Sequence, residues 1–99
     1  MKDYLISVET IRNGEDYYED EKYYVKNDSL EDALWDFVVN RASEFCAFGP
    51  EGDISQETDT HYSILYDDGD DYYESLISAE PFSPETYDGE YVDISYYNG

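Results

Sequence analysis

Positive charge is what this chain has least of. Its 99 residues include only five Lys and Arg (Lys2, Arg12, Lys22, Lys26 and Arg41), and none falls in 42–99. Against them stand 26 Asp and Glu, for a net charge of −21, and 15 of those acids lie in the base-free stretch from residue 42 onward. Nucleic acid and anionic membranes repel such a chain, which leaves basic protein surfaces as its matching partners. Cysteine is almost as scarce. With Cys46 alone, no disulfide can form within the chain, and a reducing, cytoplasmic setting is the simpler expectation. No run is apolar enough for a membrane span, and the opening MKDYLISVET lacks the apolar core of a signal peptide.

Catalytic residues are scarce as well. His61 is the single histidine and stands near Asp59 at the start of an expected strand, where an isolated imidazole reads as a strand-edge residue rather than an acid–base catalyst. Cys46 lies between Phe45 and Phe48 with no basic neighbour to activate it, so it reads as a packed thiol. The chain has no phosphate loop, nucleophile elbow or zinc-ligand spacing. Neither an enzyme nor a cofactor is expected.

Leu, Ile, Val and Phe together number only 20, at the margin where acidic chains stay disordered. Aromatic residues make up 18% of the chain, however, with 13 Tyr among them, and the apolar residues follow clear periods. The expectation is one folded acidic domain over 1–99.

YLISVETIR (4–12) alternates Tyr4, Ile6 and Val8 with Ser7 and Glu9, as in a half-buried strand. Asn13-Gly14 signals a hairpin with EKYYVKN (21–27). A two-residue turn there would put Glu19 and Glu21 opposite Val8 and Ile6. A longer loop instead pairs Val8 with Tyr23, Ile6 with Val25, Glu9 with Lys22 and Arg12 with Glu19, and is the register expected. A helix within 27–50 follows, capped by Ser29, with Asp32 in the capping-box position, an inward stripe of Leu30, Leu34, Phe37, Val38, Arg41 and Phe45, and a stop at Gly49-Pro50. Residues 51–60 read as a polar loop. HYSILYD (61–67) and DYYESLISA (71–79) form a hairpin around Asp68-Gly69, 80–89 reads as a loop, and EYVDISYY (90–97) is a last strand. The predicted fold is α+β, ββαβββ, an antiparallel sheet with one helix packed on one face.

The acids are clustered. YDDGDDYY places Asp67, Asp68, Asp70 and Asp71 at a hairpin tip with no base in the stretch, flanked by Tyr66, Tyr72 and Tyr73. The first hairpin exposes Glu15, Asp16, Glu19 and Asp20 beside Tyr17 and Tyr18, and the outer helix face carries Asp32, Asp36 and Glu44. The YDDGDDYYE spacing does not fit the calcium-loop pattern, so no dedicated metal site is expected. One reading is a solvated surface that keeps the tips in water. The other is that the charge itself is the product. Duplex DNA carries one charge per about 1.7 Å, so 21 charges correspond to about 36 Å of duplex, and a compact domain of this length is about 34 Å across. Asp32 and Asp36, one helical turn apart, are separated by about 6 Å, similar to successive phosphates along a strand.

In short length, extreme acidity throughout, tyrosine-rich strands and lack of a catalytic motif, the chain resembles the small DNA-mimic inhibitors of phages and mobile elements, the anti-CRISPR and anti-restriction proteins. That resemblance implies an inhibitor in the host cytoplasm that blocks the nucleic-acid groove of a CRISPR effector or restriction enzyme. The clustered carboxylates would stand in for phosphates, and Tyr66, Tyr72, Tyr73, Tyr17 and Tyr18 would be aromatic anchors. An acidic immunity or antitoxin protein that neutralises a basic toxin, commonly a nuclease, fits the same electrostatics.

Overall fold

A computed structural model of the chain describes residues 1–16, 21–41, 52–67 and 69–95. It is an α+β fold in which strands β1 (Lys2–Arg12), β2 (Glu15–Asp16), β3 (Glu21–Asn27), β4 (Asp53–Thr58), β5 (His61–Asp67), β6 (Tyr72–Pro81) and β7 (Val92–Asp93) form one sheet. Helix α1 (Leu30–Asp36) continues into a π-helical turn, Phe37–Arg41. The strand order is β4-β5-β6-β1-β3-β7, with β2 pairing the end of β1.

β1 sits centrally, paired with β3 along one edge and with β6 along the other. Tyr4, Ile6 and Val8 point to the helix side and Leu5 to the other, and all four are buried. Tyr23, Ile64, Ile77 and Ala79 from neighbouring strands complete the helix-side layer, onto which Leu34, Phe37 and Val38 pack. The Tyr23 and Phe37 rings meet at 5.5 Å. Ser29 caps the helix as expected, its Oγ accepting the Asp32 N–H at 3.1 Å. Leu30, Leu34, Phe37 and Val38 face inward as predicted, Arg41 is only half-buried and outside the core, and Phe45, Cys46 and the Gly49-Pro50 stop lie outside the described residues.

The first hairpin differs from the longer-loop expectation. Asn13 and Gly14 have φ of 51° and 85°, as a two-residue turn requires, and Arg12 pairs directly with Glu15. That register does not continue along β1: it would set Glu21 opposite Ile6, whereas Tyr23 takes the place opposite Ile6 and Glu21 pairs with Val8. From the Ile11–Asp16 pair to the Val8–Glu21 pair, β1 moves back by three residues while the returning chain advances by five. The two extra residues preserve the parity of the strand, so Tyr23 and Val25 still face inward. Their partners are Ile6 and Tyr4, not the expected Val8 and Ile6. Lys22 lies opposite Ser7, not Glu9, and its Nζ donates to Ser7 Oγ at 2.9 Å.

Two further expectations are corrected. Residues 53–58, read as loop, form strand β4, because the open edge of β5 supplies backbone partners that propensity does not. All six β4 residues are exposed, so the strand adds hydrogen bonds rather than core. The last strand is only Val92–Asp93 and runs parallel to β3, so the sheet is mixed rather than antiparallel. Reaching β3 from β6 takes the chain across the open sheet face. There Phe82 and Tyr91 pack on Tyr24, and Tyr87 packs on both of them, with ring separations of 5.1–6.1 Å, forming a second small core with Leu5. The β5–β6 hairpin forms as predicted, its second strand extending to Pro81.

That second core makes a pH prediction. Burial pushes the Tyr24 hydroxyl from 10.0 up to about 12, aided by its hydrogen bond to Asp3 (2.8 Å) and by the nearby charges of Asp3, Asp93 and Glu85. Because the folded value lies above the unfolded one, this contribution to stability is complete below about pH 10 and is lost as pH rises toward 12. Tyrosinate absorbance should show a late component, near the top of that window, that appears together with unfolding. The Tyr24→Phe variant should lack this late component.

Candidate functional site

The two hairpin tips meet at one end of the sheet. Asn13 N–H donates to the Tyr72 carbonyl at 2.7 Å, and Tyr72 N–H donates to Asn13 Oδ1 at 2.8 Å. Asp71 closes the junction. Its Oδ2 accepts from Arg12 Nη2 at 2.8 Å and its Oδ1 from Asn13 Nδ2 at 3.1 Å. The Asn13 amide and the Arg12 guanidinium together hold this carboxyl below the usual carboxylate range. The 66–73 tip therefore does have a base beside it, contrary to the sequence reading, supplied from 59 residues away in the chain. Asp71 clasps the tips together and is not a bare phosphate surrogate.

Around the clasp, Glu15, Asp67 and Asp70 are exposed, and the Asp67 carboxylate accepts the Gly69 N–H at 2.8 Å, which shapes the turn. Gly69 takes φ of 96°, a conformation that glycine supplies without strain. Asp16 pairs through its backbone with Ile11. Glu19, Asp20, Asp68, Tyr17 and Tyr18 lie outside the described residues.

The aromatic anchors separate into different roles. Tyr72 is exposed at the tip, whereas Tyr73 is buried, with its ring 6.1 Å from Tyr66 and the Arg12 guanidinium 5.9 Å from its centroid. Tyr73 therefore stacks beneath Arg12 and supports the clasp from inside.

The helix carboxylates are not part of this cluster. Leu30 follows the end of β3 that pairs with Lys2, at the opposite end of β1 from Arg12, and an 11-residue strand spans about 36 Å. Asp32 is exposed near that far end. Asp36 accepts from Asn40 Nδ2 at 2.6 Å one turn on, and Glu44 lies outside the described residues. Tips and helix stripe are two separate acidic surfaces.

Elsewhere the chemistry is sparse. On the open sheet face, Ser7, Glu9, Lys22, His61, Leu76 and Glu80 border a shallow depression of about 440 Å³. His61 Nδ1 is hydrogen-bonded with Thr60 Oγ1 at 2.8 Å, within the β4–β5 turn. Among the described residues, no three His, Cys, Asp or Glu side chains converge as metal ligands, and no helix is long and apolar enough to cross a membrane.

The sequence reading missed Trp35, Val39 and Ile54, which are 54%, 46% and 46% exposed. The signal was present for Trp35, a large aromatic outside the inward helix stripe. Ile54 carried none while its segment was read as loop. No known family model, curated protein or solved structure matches this chain.

Proposed function

We propose that the protein is a stoichiometric DNA-mimic inhibitor that occupies the nucleic-acid groove of a basic host defence protein, a CRISPR effector or a restriction enzyme, in the host cytoplasm. The observation that carries this reading is charge density on an elongated fold. The fold measures 43 × 24 × 23 Å, so a net charge of −21 amounts to one charge per about 2 Å of its long axis. Duplex DNA carries one per about 1.7 Å. A groove lined with Lys and Arg to bind duplex would meet comparable charge on this surface, held by a fold that engages at least three of its own five bases. Arg12 is paired with Asp71, Lys22 bonds Ser7, and Lys26 lies 4.0 Å from Asp3.

Displacement of labelled duplex from such a target is the test. Release at one protein per binding groove is expected, and a ternary complex of target, duplex and this protein would contradict groove competition.

A further inference from the structure

Helix α1 packs mainly over β6, β3 and β1, so the helix layer is narrower than the sheet. At its margin Trp35 leans over Tyr62 of β5, with ring centroids 6.0 Å apart, yet more than half of its surface faces solvent. Val39 follows one turn later on the same side. On β4, Gln56 pairs with Tyr62, which places Gln56 and Ile54 on the Tyr62 side of the sheet. Trp35 and Val39 on the helix margin and Ile54 on β4, opposite Ile64, thus lie on one side of the sheet as an exposed apolar strip. Nothing in the core requires them to be apolar, and exposed tryptophan beside aliphatics is a common centre of protein contacts.

The surroundings decide what covers this strip. β4 ends the sheet, and among the described residues no strand pairs with its outer edge. Neither 28–40 nor 52–67 contains a Lys or Arg. Glu31 and Asp32 lie one turn before Trp35, whereas Asp53 and Glu57 of β4 face the other side of the sheet, where Glu57 accepts from Ser63 Oγ at 3.0 Å. A second copy would bring −21 against −21 and oppose these acids to one another. A segment carrying both basic and apolar side chains satisfies the rim and the strip together.

We propose that the Trp35–Val39–Ile54 strip is the anchor on which the basic partner docks. The partner's apolar side chains cover the strip between α1 and β4, while its Lys and Arg meet Glu31 and Asp32 at the start of the helix. This inference rests on the reading of a basic protein partner and specifies where that partner makes its desolvated contact.

Trp35 is the only tryptophan, so its emission reports on the strip directly. The full chain is titrated at about 0.15 M salt with two tryptophan-free peptides of equal length and charge, one alternating Lys and Leu, the other Lys and Ser. The Lys–Leu peptide should bind about tenfold more tightly and shift Trp35 emission to the blue. Ile54→Ser and Val39→Ser should each weaken it roughly fivefold without moving the melting temperature, and Glu85→Gln should leave it unchanged. Equal binding of both peptides with unmoved Trp35 emission overturns the anchor but leaves the basic-partner reading standing. Failure of both to bind overturns both. A blue shift that grows with protein concentration alone assigns the strip to a second copy and overturns the proposal.

Discussion

Replacing Phe37 with alanine should lower the melting temperature by about 15–30 °C, the largest stability loss expected from any single substitution in the described core. Phe37 is fully buried at the junction of α1 and the π-helical turn, against Tyr23 and the β1–β6 layer. Truncating such a ring costs about 3–5 kcal/mol through lost transfer and the cavity left behind. In a domain of this size each kcal/mol moves the midpoint by about 4–8 °C. The chain has little reserve, because its charges repel one another over a body 43 Å long. The Debye length is about 30 Å at 0.01 M salt and about 3 Å at 1 M, so added salt should recover part of the loss. Thermal melts of both forms at low and high salt measure this. A variant within a few degrees of wild type would mean that the helix–sheet interface does not hold the fold.

That interface was legible because its signals are local. Ser29, the Leu30–Leu34–Phe37–Val38 spacing and the alternation in 4–8 each act within a few residues, and they fixed the helix, the central strand and the inward faces. The register of the first hairpin was not legible. Asn13-Gly14 favours a two-residue turn and the core favours Tyr23 opposite Ile6, and the chain satisfies both by inserting two residues between them. Strand β4 was invisible because its composition is polar and the edge of β5 imposes its conformation. The Asp71 clasp joins residues far apart in sequence, so only the sheet order, which places β1 beside β6, reveals it. The acidic surface was legible as composition and as separate tip and helix clusters, but the joining of the two tips was not.

The second large effect separates binding from folding. Replacing Asp67 and Asp70 with Asn, Asp68 with Ser and Glu15 with Gln, while keeping Asp71, should leave the melting temperature equal or higher. Exposed like charges oppose the fold, and their removal relieves repulsion at the joined tips. Affinity for the basic partner should fall at least about 30-fold, since four rim pairs of about 0.5 kcal/mol already account for that, and each desolvated pair adds about 2 kcal/mol or more. Asp71→Asn is the contrasting variant. It loosens the tie to Arg12 and Asn13, so faster amide exchange at Asn13 and Tyr72 is expected of it and not of the first variant. If the first variant binds as tightly as wild type at physiological salt, the tip carboxylates are only solvated surface.

The central claim is that the fold arranges carboxylates to take the place of duplex DNA, and one measurement reaches it most directly. Labelled duplex bound to a CRISPR effector or restriction enzyme is titrated at physiological salt with the folded protein and, separately, with a chain of identical composition and scrambled order. The account predicts full displacement by the folded protein at one molecule per groove, with the scrambled chain at least about tenfold weaker, because it must lose entropy on ordering before it matches the groove. Equal displacement by both chains, or a stable ternary complex with duplex, would contradict it.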